Sequence, residues 1–215
     1  MSIKVLIADD HQIMREGLRA MLEKEHDIKI VGEAVDGRMT ERMARELVPD
    51  VIIMDVAMPD LNGIEATRQI AAELPGVKII ALSMYDERRF VLNMLKAGAA
   101  GYIIKDDAFK NLSKAIRMVM ANKTYLSNEI SDLVENNCLT SSTGLKSTDF
   151  QLLSCREMEV LQLVAEGKTS NEIAENLHIS TKTVENHRQN VTIKLNIKNV
   201  AELTKYAIRE GLTTL

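Results

Sequence analysis

The sequence predicts an α/β domain with a five-stranded, doubly wound parallel sheet, joined to a small all-α domain of four helices. Three observations support this prediction. Five apolar runs rich in β-branched residues alternate with amphipathic helical segments in the first part of the chain. A Ser/Thr-rich stretch without apolar periodicity follows. Only short helical patterns occur after residue 151.

The predicted strands are short apolar runs that cover Ile3–Ala8, Ile28–Gly32, Val51–Met54, Val77–Leu82 and Tyr102–Ile104. Helical periodicity occupies the segments between and after them, at residues 11–24, 37–47, 62–74, 86–97 and 108–121. Pro49 and Gly98 mark the ends of two of these helices. The alternation favours a parallel sheet that is covered by helices on both faces.

The boundary between the domains is predicted at residues 123–150, after a first domain at 1–122 and before a second at 151–215. Residues 127–135 are compatible with one short helix. The sequence NNCLTSSTGLKSTDFQ, residues 136–151, is interpreted as a linker. An ordered surface loop would have a similar composition.

The second domain begins with two capping boxes, Ser154–Glu157 and Thr169–Glu172. In such a box a hydroxyl and a carboxylate satisfy the free backbone N–H groups at a helix start. Gly167 stands where the first helix is expected to end. Two further helices are predicted to start near Ser180 and Asn199.

Composition indicates an ordinary globular protein, since 46% of the 215 residues are hydrophobic. Cys138 and Cys155 fit no metal-ligand spacing and are interpreted as reduced thiols. The N-terminal sequence MSIKVLIADDH has no long apolar signal core, and no apolar run reaches the length of about 18 residues that a membrane helix needs. We therefore expect a cytoplasmic protein without a membrane segment.

The net charge of −4 does not by itself indicate a nucleic-acid partner. The charge is uneven along the chain, because residues 180–198 contain four basic residues and Glu185 as their only acid. A local basic surface matters more for contact with phosphates than the charge of the whole chain.

Polar residues follow the predicted strands. Asp9 and Asp10 follow the first strand, Asp55 the third, Ser83 the fourth and Lys105 the fifth. Each has a simpler interpretation when taken alone: a helix cap, a turn residue or a surface lysine. Because ligand sites of open parallel sheets form at the carboxyl ends of the strands, their conjunction favours one shared site.

Three clustered carboxylates repel one another unless a cation lies among them, and a site of oxygen ligands suits Mg²⁺. Zinc is disfavoured, because no histidine or cysteine is predicted in the group. Beside a metal, the Asp55 carboxylate could attack a phosphorus atom. Lys105 and Ser83 could then hold the phosphoryl oxygens.

Residues 2–122 resemble the receiver domain of two-component response regulators, through the segments LIADDH, VIIMDVAMPDLNG, IIALS and GYIIK. The resemblance implies a flavodoxin-like fold and phosphorylation of Asp55 by a sensor histidine kinase. It implies that Mg²⁺ is held by Asp9, Asp10, Asp55 and the backbone carbonyl of Ala57.

The same resemblance implies a switch pair, Ser83 and Tyr102, in which Tyr102 turns inward when Ser83 engages phosphate. Tyr102 fits equally well as an ordinary aromatic residue of a strand. Asp106 follows the active-site lysine at a position where this family often has proline, a variant that is familiar in one subfamily.

The helix that starts near Ser180 has one apolar and one polar side. On a helical wheel Val184, Val191 and Leu195 fall together, and the residues opposite are Lys182, Glu185, Asn186, Gln189 and Ile193. Such a polar face offers donors and acceptors to base edges and phosphates, although a solvated helix face has the same polarity. The preceding TSNEIAENLHIS reads as a short helix and a tight turn, which favours a helix-turn-helix.

Residues 152–212 resemble the LuxR-type DNA-binding domain, through LSCREMEVLQLVAEGKTSNEIAENLHIS and TKTVENHRQNVTIKL. With the receiver, this places the chain in the NarL/FixJ class, which implies double-stranded DNA as a partner and a homodimer when phosphorylated. The predicted DNA contacts are Lys182, Thr183 and Lys194 to phosphates, Glu185, Asn186 and Gln189 to bases, and His187 to either. Cys155 and Asn196 stand where proline and glycine are frequent, and Ile193 lies on the wet face without a physical explanation.

The sequence therefore predicts a phosphorylation-controlled transcription regulator and not an enzyme. A phosphatase that works through an aspartyl-phosphate is disfavoured, because the second acid that the haloacid dehalogenase family needs is replaced by Ala57. A regulator that is switched by protein contact without phosphate remains the other alternative. The complete set of polar residues at the strand ends argues against it.

Overall fold

The chain divides into two units, residues 1–141 and 142–215, in a computed structural model that describes residues 2–84, 86–127, 130 and 152–213. The predicted linker and most of the predicted short helix before it lie outside the described residues. Within the described part of the chain, no helix has both the length and the apolar character that a membrane span requires.

A parallel sheet forms the centre of the first unit. Its strands, in chain order, are β1 (Ile3–Ala8), β2 (Ile28–Ala34), β3 (Val51–Asp55), β4 (Lys78–Ser83), β5 (Gly101–Ile104) and β6 (Tyr125–Leu126). Their order in the sheet is β2-β1-β3-β4-β5-β6, and every neighbouring pair is parallel. The parallel architecture is confirmed, and the described residues form six strands where five were predicted. Strand β6 has only two residues, which is too short for a periodic sequence signal.

Within residues 2–84 and 86–127, five helices cover the sheet: α1 (Gln12–Leu22), α2 (Gly37–Leu47), α3 (Gly63–Glu73), α4 (Arg88–Ala97) and α5 (Lys105–Met120). Helices α1 and α5 share one core cluster, whereas α2, α3 and α4 contribute to a second cluster. The sheet is therefore doubly wound, as predicted. Helix α5 begins at Lys105 and not at residue 108, with Asp106 and Asp107 in its first turn. Acidic residues there compensate the positive end of the helix dipole and favour the earlier start.

The second unit contains four helices within residues 152–213: α6 (Cys155–Ala165), α7 (Ser170–Asn176), α8 (Thr181–Leu195) and α9 (Val200–Arg209). Both predicted capping boxes are present, at Ser154–Glu157 and Thr169–Glu172. Gly167 follows α6 with a φ of +82°, which a residue with a Cβ adopts only with strain. Val184 and Val191 on α8 are buried in the two core clusters of the unit, and Leu195 is half-buried against the cluster that contains Val191. All three lie on the inward side of the helix, as the helical wheel predicts.

The order of the strands positions the site of the first unit. The chain runs outward from β1 to β2, returns past β1 to β3, and then continues in the opposite direction through β4 and β5. At such a reversal the connections after the two strands on either side of it diverge and leave a crevice at the carboxyl ends. In this sheet these two strands are β1, which is followed by Asp9, and β3, which ends in Asp55.

Candidate functional site

The structure brings the polar residues of the four strand ends together. Asp9 is fully buried, and Asp55, Ser83 and Lys105 are between 1% and 5% exposed. The Lys105 ammonium nitrogen lies 2.8 Å from Asp9 Oδ2 and 2.9 Å from Asp55 Oδ2. Buried charged groups require partners of opposite charge, and the Lys105 ammonium is the partner of both carboxylates.

Asp10 and His11 complete an acidic cluster at the mouth of this site. One ligand atom each from Asp9, Asp10, His11 and Asp55 lies within 4.8 Å of the others. His11 was not predicted to belong to the group. Its Nδ1 atom lies 2.8 Å from Asp10 Oδ1 and 3.2 Å from Asp9 Oδ1. The only sequence signal for it is its position directly after the aspartate pair, where the backbone turns from β1 into α1.

The buried charges perturb one another. Burial and the neighbouring Asp9 carboxylate raise the pKa of Asp55 to about 7, and Lys105 opposes part of that rise. Burial alone would lower the pKa of Lys105, but attraction to Asp55 and Asp9 outweighs it and leaves that pKa raised. Lys105 therefore remains an ammonium group. A second cation near Asp55 would lower the raised pKa of its carboxyl and so favour the ionised form.

The backbone around Asp55 is packed tightly against the start of α3. Gly63 donates its N–H to the carbonyl of Val56 at 2.9 Å, and a Cβ at this position would lie 1.9 Å from the carbonyl oxygen of Asp55. Asn62 caps α3 by accepting from the N–H of Glu65 at 3.0 Å. The Ala57 N–H donates to Asp55 Oδ1 at 3.4 Å, while a metal-binding role for the Ala57 carbonyl stays a prediction.

Ser83 and Tyr102 lie beside one another on neighbouring strands. Tyr102 is fully buried, and a side-chain hydrogen bond joins it to Ser83. Burial raises the pKa of the Tyr102 phenol, and the hydrogen bond to Ser83 opposes part of that rise. Tyr102 is thus turned inward here, in contact with the hydroxyl of Ser83, the last residue of β4.

In the second unit, the outer face of α8 is polar and open. Lys182, Glu185, Asn186 and Gln189 are exposed, as the helical wheel predicts. They line one shallow groove together with Arg188 and Thr192. Arg188 was not predicted as part of this face. Ile193 is 67% exposed, and nothing within residues 152–213 explains its apolar side chain.

Several predicted DNA contacts have partners within the unit. The Lys194 ammonium donates to Glu157 Oε2 at 2.7 Å. The hydroxyls of Thr183 and Ser180 are 2.8 Å apart, and Glu185 accepts a hydrogen bond from Ser170. His187 is half-buried, and the described residues provide no hydrogen-bond partner for its enclosed Nδ1. Three of the seven predicted contacts are exposed and have no hydrogen-bond partner among the described residues: Lys182, Asn186 and Gln189.

Both units match known protein families. Residues 5–117 match the response regulator receiver domain, and residues 151–207 match the bacterial regulatory proteins of the luxR family. The chain is 37% identical over 215 residues to the oxygen regulatory protein NreC of Staphylococcus epidermidis ATCC 12228, which covers 98% of this chain and 99% of that protein. NreC of Staphylococcus aureus RF122 is 37% identical over 214 residues, with the same coverage.

Solved structures with the same architecture are also similar. The RcsB response regulator of Salmonella typhimurium has a TM-score of 0.66 and 29% identity, over 100% of this chain and 99% of that chain. RcsB in a complex with DNA has a TM-score of 0.59 and 30% identity, over 96% and 98% of the two chains. A LuxR-family response regulator from Aurantimonas sp. SI85-9A1 has a TM-score of 0.62 and 32% identity, over 65% and 99%.

Proposed function

We propose that Asp55 is the phosphoacceptor of this chain and that a sensor histidine kinase is the donor. The chain belongs to the response regulators that join a receiver domain to a luxR-family DNA-binding domain. These proteins are phosphorylation-controlled transcription factors. The observation that carries this proposal is the contact of Lys105 with both Asp9 and Asp55, deep at the carboxyl ends of β1 and β3. This contact supports the proposal, because a carboxylate that attacks phosphorus needs a fixed positive charge beside the phosphoryl oxygens.

The acidic cluster fits Mg²⁺. Three carboxylates against the single ammonium of Lys105 leave an excess of negative charge, and ligand atoms within 4.8 Å of one another can surround a small ion. Asp9, Asp10, Asp55 and the Ala57 carbonyl would hold it. When bound, the ion would neutralise the charge on the phosphoryl oxygens and on the attacking carboxylate.

The chain's own residues then divide the work. A carboxylate oxygen of Asp55 forms the new bond to phosphorus as the bond to the kinase's histidine nitrogen breaks. Lys105, which is already 2.9 Å from Asp55 Oδ2, remains within reach of the added phosphoryl oxygens and balances their charge. The Ser83 hydroxyl donates to one of these oxygens, and Tyr102 keeps its inward position behind Ser83.

The output of this switch is DNA binding. We propose that the unphosphorylated receiver masks the DNA-binding helix, and that phosphorylation releases it and favours a homodimer. Helix α8 would enter the major groove of double-stranded DNA, with its groove of exposed polar residues toward the bases. We also propose a cytoplasmic location, since the DNA target lies in that compartment, and no phosphatase activity, since Ala57 replaces the second acid that such enzymes need.

The decisive experiment is intact-mass analysis after incubation with a small phosphoryl donor and Mg²⁺. We expect one added phosphoryl group on the wild type and none on Asp55→Ala. Asp106→Ala is the matched control, because it removes an exposed carboxylate adjacent to Lys105 in the chain and should label normally. Asp10→Ala should lose the dependence on metal. Equal labelling of Asp55→Ala and the wild type would exclude Asp55 as the acceptor.

The switch itself is tested with the same samples. Light scattering and DNA binding are measured before and after phosphorylation. The proposed output requires the phosphorylated protein to form dimers and to bind its preferred duplex more tightly. A phosphorylated protein that stays monomeric and binds DNA no better than the unmodified protein would contradict it.

A further inference from the structure

A polar bridge joins the two helices of the helix-turn-helix. Ser170, the first residue of α7, donates its hydroxyl to Glu185 Oε1 on α8. Arg188, one turn further along α8, donates its Nη1 to Ser170 Oγ at 2.8 Å and lies 3.8 Å from Glu185 Oε1. The three side chains therefore form a closed set, in which each one contacts the other two.

This set changes the interpretation of Glu185. Its carboxylate was predicted from the sequence to accept a hydrogen bond from a cytosine, but in the folded unit it already accepts from Ser170 and faces Arg188. A free carboxylate on a helix that approaches DNA would be repelled by the phosphates. Pairing with Arg188 offsets that repulsion and gives Glu185 a role within the protein.

Arg188 keeps unused donors in this arrangement. A guanidinium carries five N–H donors in a planar fork, and only Nη1 has an acceptor within residues 152–213. Nε and Nη2, which lie on the adjacent edge of the fork, have none there. Arg188 is one-third exposed and lines the same groove as Lys182, Asn186 and Gln189. Two parallel donors on one edge match the O6 and N7 acceptors of guanine in the major groove.

We propose that Arg188 is a specificity-determining residue that reads a guanine through its Nε–Nη2 edge, and that Ser170 and Glu185 are positioning residues that hold the guanidinium for this contact. The proposal rests on the DNA-binding function proposed above and identifies which side chain on α8 reads a base. It adds Arg188 to the predicted contacts and moves Glu185 from the base edge to the support of Arg188.

A bridge could also serve only to fasten α7 to α8. The chain offers a matched control for that alternative, because a second hydroxyl contact joins the same helices: Thr181 Oγ1 donates to Asn171 Oδ1 at 3.1 Å. This contact involves no arginine. Thr181→Ala therefore removes one hydroxyl contact between α7 and α8, as Ser170→Ala does, but leaves the guanidinium untouched.

The test uses the full-length protein, phosphorylated with a small donor and Mg²⁺. Wild-type protein first selects its best duplex from a randomised library. The affinity of each variant is then measured for that duplex and for all its single-base changes. We expect Arg188→Lys, which keeps the charge but loses the fork, to reduce the preference for guanine at one base pair by roughly tenfold to a hundredfold.

Ser170→Ala and Glu185→Ala should reduce the preference at the same base pair. Ser170→Thr, which retains a hydroxyl, should restore it, and Thr181→Ala should leave it intact. In the Arg188→Lys background, Ser170→Ala should have no further effect, because the two residues act through one contact. A helix-fastening role alone would give equal losses for Ser170→Ala and Thr181→Ala.

Three results would overturn the proposal: an unchanged guanine preference in Arg188→Lys, an effect of Ser170→Ala at a different base pair, or equal effects of Ser170→Ala and Thr181→Ala. These results differ from a failure of the proposed function. In that case, the wild-type protein would select no duplex from the library at all. Lys182→Ala provides a further reference, since loss of a phosphate contact should weaken all duplexes to the same degree.

Discussion

The buried group of Asp9, Asp55 and Lys105 in the first unit and the outer face of α8 place charged side chains in opposite environments. Asp9, Asp55 and Lys105 are at most 5% exposed, and the Lys105 ammonium is paired with both carboxylates. Lys182 on α8 is exposed, and its ammonium group faces solvent. A buried charge needs a partner inside the protein, so its neighbours indicate its role. An exposed charge has no such requirement, and its role depends on what the protein binds.

The largest effect is expected from Lys105→Met, which breaks the buried side of this comparison. Without magnesium the substitution leaves Asp9 and Asp55 without their ammonium partner, and we expect a loss of about 3–5 kcal/mol in the free energy of unfolding. Mg²⁺ should restore far more stability to this variant than to the wild type, because the ion replaces the missing charge. Denaturant unfolding of the full chain with chelator and with Mg²⁺ measures both quantities.

Lys110→Met is the control for that experiment, because Lys110 is an exposed residue of the same helix. Its stability should follow the wild type in both solutions. Equal stabilisation of Lys105→Met and of the control by Mg²⁺ would contradict the claim that the ion replaces the missing charge, and no stabilisation of either would contradict the cation site itself.

On the exposed side, Gln189→Ala should cost about 1–3 kcal/mol of binding free energy on the best duplex and relax the base preference at one position. Lys182→Ala should instead weaken binding to every sequence and reduce the slope of affinity against salt by about 1. Titrations of a duplex panel at two salt concentrations separate the two behaviours. If both variants lost affinity equally for all duplexes, Gln189 would contact the backbone and not a base.

Glu157 refines the comparison, because its carboxylate is a buried charge of the DNA-binding unit. Its contacts stabilise the fold of that unit. Burial alone would raise the pKa of its carboxyl, but hydrogen bonds from Lys194 and from the backbone and hydroxyl of Ser154 hold that pKa below its ordinary value of 4.5. Glu157→Ala removes one half of the capping box, and we expect a cost of about 0.5–2 kcal/mol. Hydrogen exchange of the α6 amides in the full chain reports this loss.

The lowered pKa of Glu157 also predicts that the stability of the fold depends on pH. A lowered native pKa means that the ionised carboxylate stabilises the fold above the ordinary value of 4.5, and that this contribution is lost as the pH falls through the lower native value. The stability difference between the wild type and Glu157→Gln should therefore be constant above pH 4.5 and shrink below it. A difference that grew on acidification would contradict the assignment of the shift to Lys194 and Ser154.

The smallest effect is expected from Ile193→Thr. Ile193 is 67% exposed and contributes to neither core cluster of its unit, so its replacement should change the unfolding free energy by less than about 0.5 kcal/mol. The same hydrogen-exchange experiment measures the change. A larger loss would show that an exposed side chain on this face still contributes to the stability of the fold.

Most of the fold could be predicted because apolar periodicity records which face of each element is buried. The predicted strands were found within a few residues, whereas β6 was missed because two residues carry no period. Asp9, Asp55, Ser83 and Lys105 could be brought together from the sequence alone, since the topology of a parallel sheet places all strand ends at one edge.

The partners of the α8 side chains could not be predicted in the same way. Ser170 is 15 residues from Glu185, and Glu157 is 37 residues from Lys194. Their contacts depend on how closely the helices approach, which periodicity does not record. His11 was missed for a similar reason, because its imidazole reaches the aspartates only through the local turn of the backbone into α1.

The close approach of Gly63 to Asp55 has a consequence for mutational scanning. Any side chain at position 63 would bring a Cβ to 1.9 Å from the carbonyl oxygen of Asp55, so the strand end or the helix start has to move. In a library of all single substitutions scored by transcriptional output, position 63 should be as intolerant as position 55. A residue without any functional group would then be as sensitive to substitution as Asp55, because its backbone fixes the position of the Asp55 carboxylate.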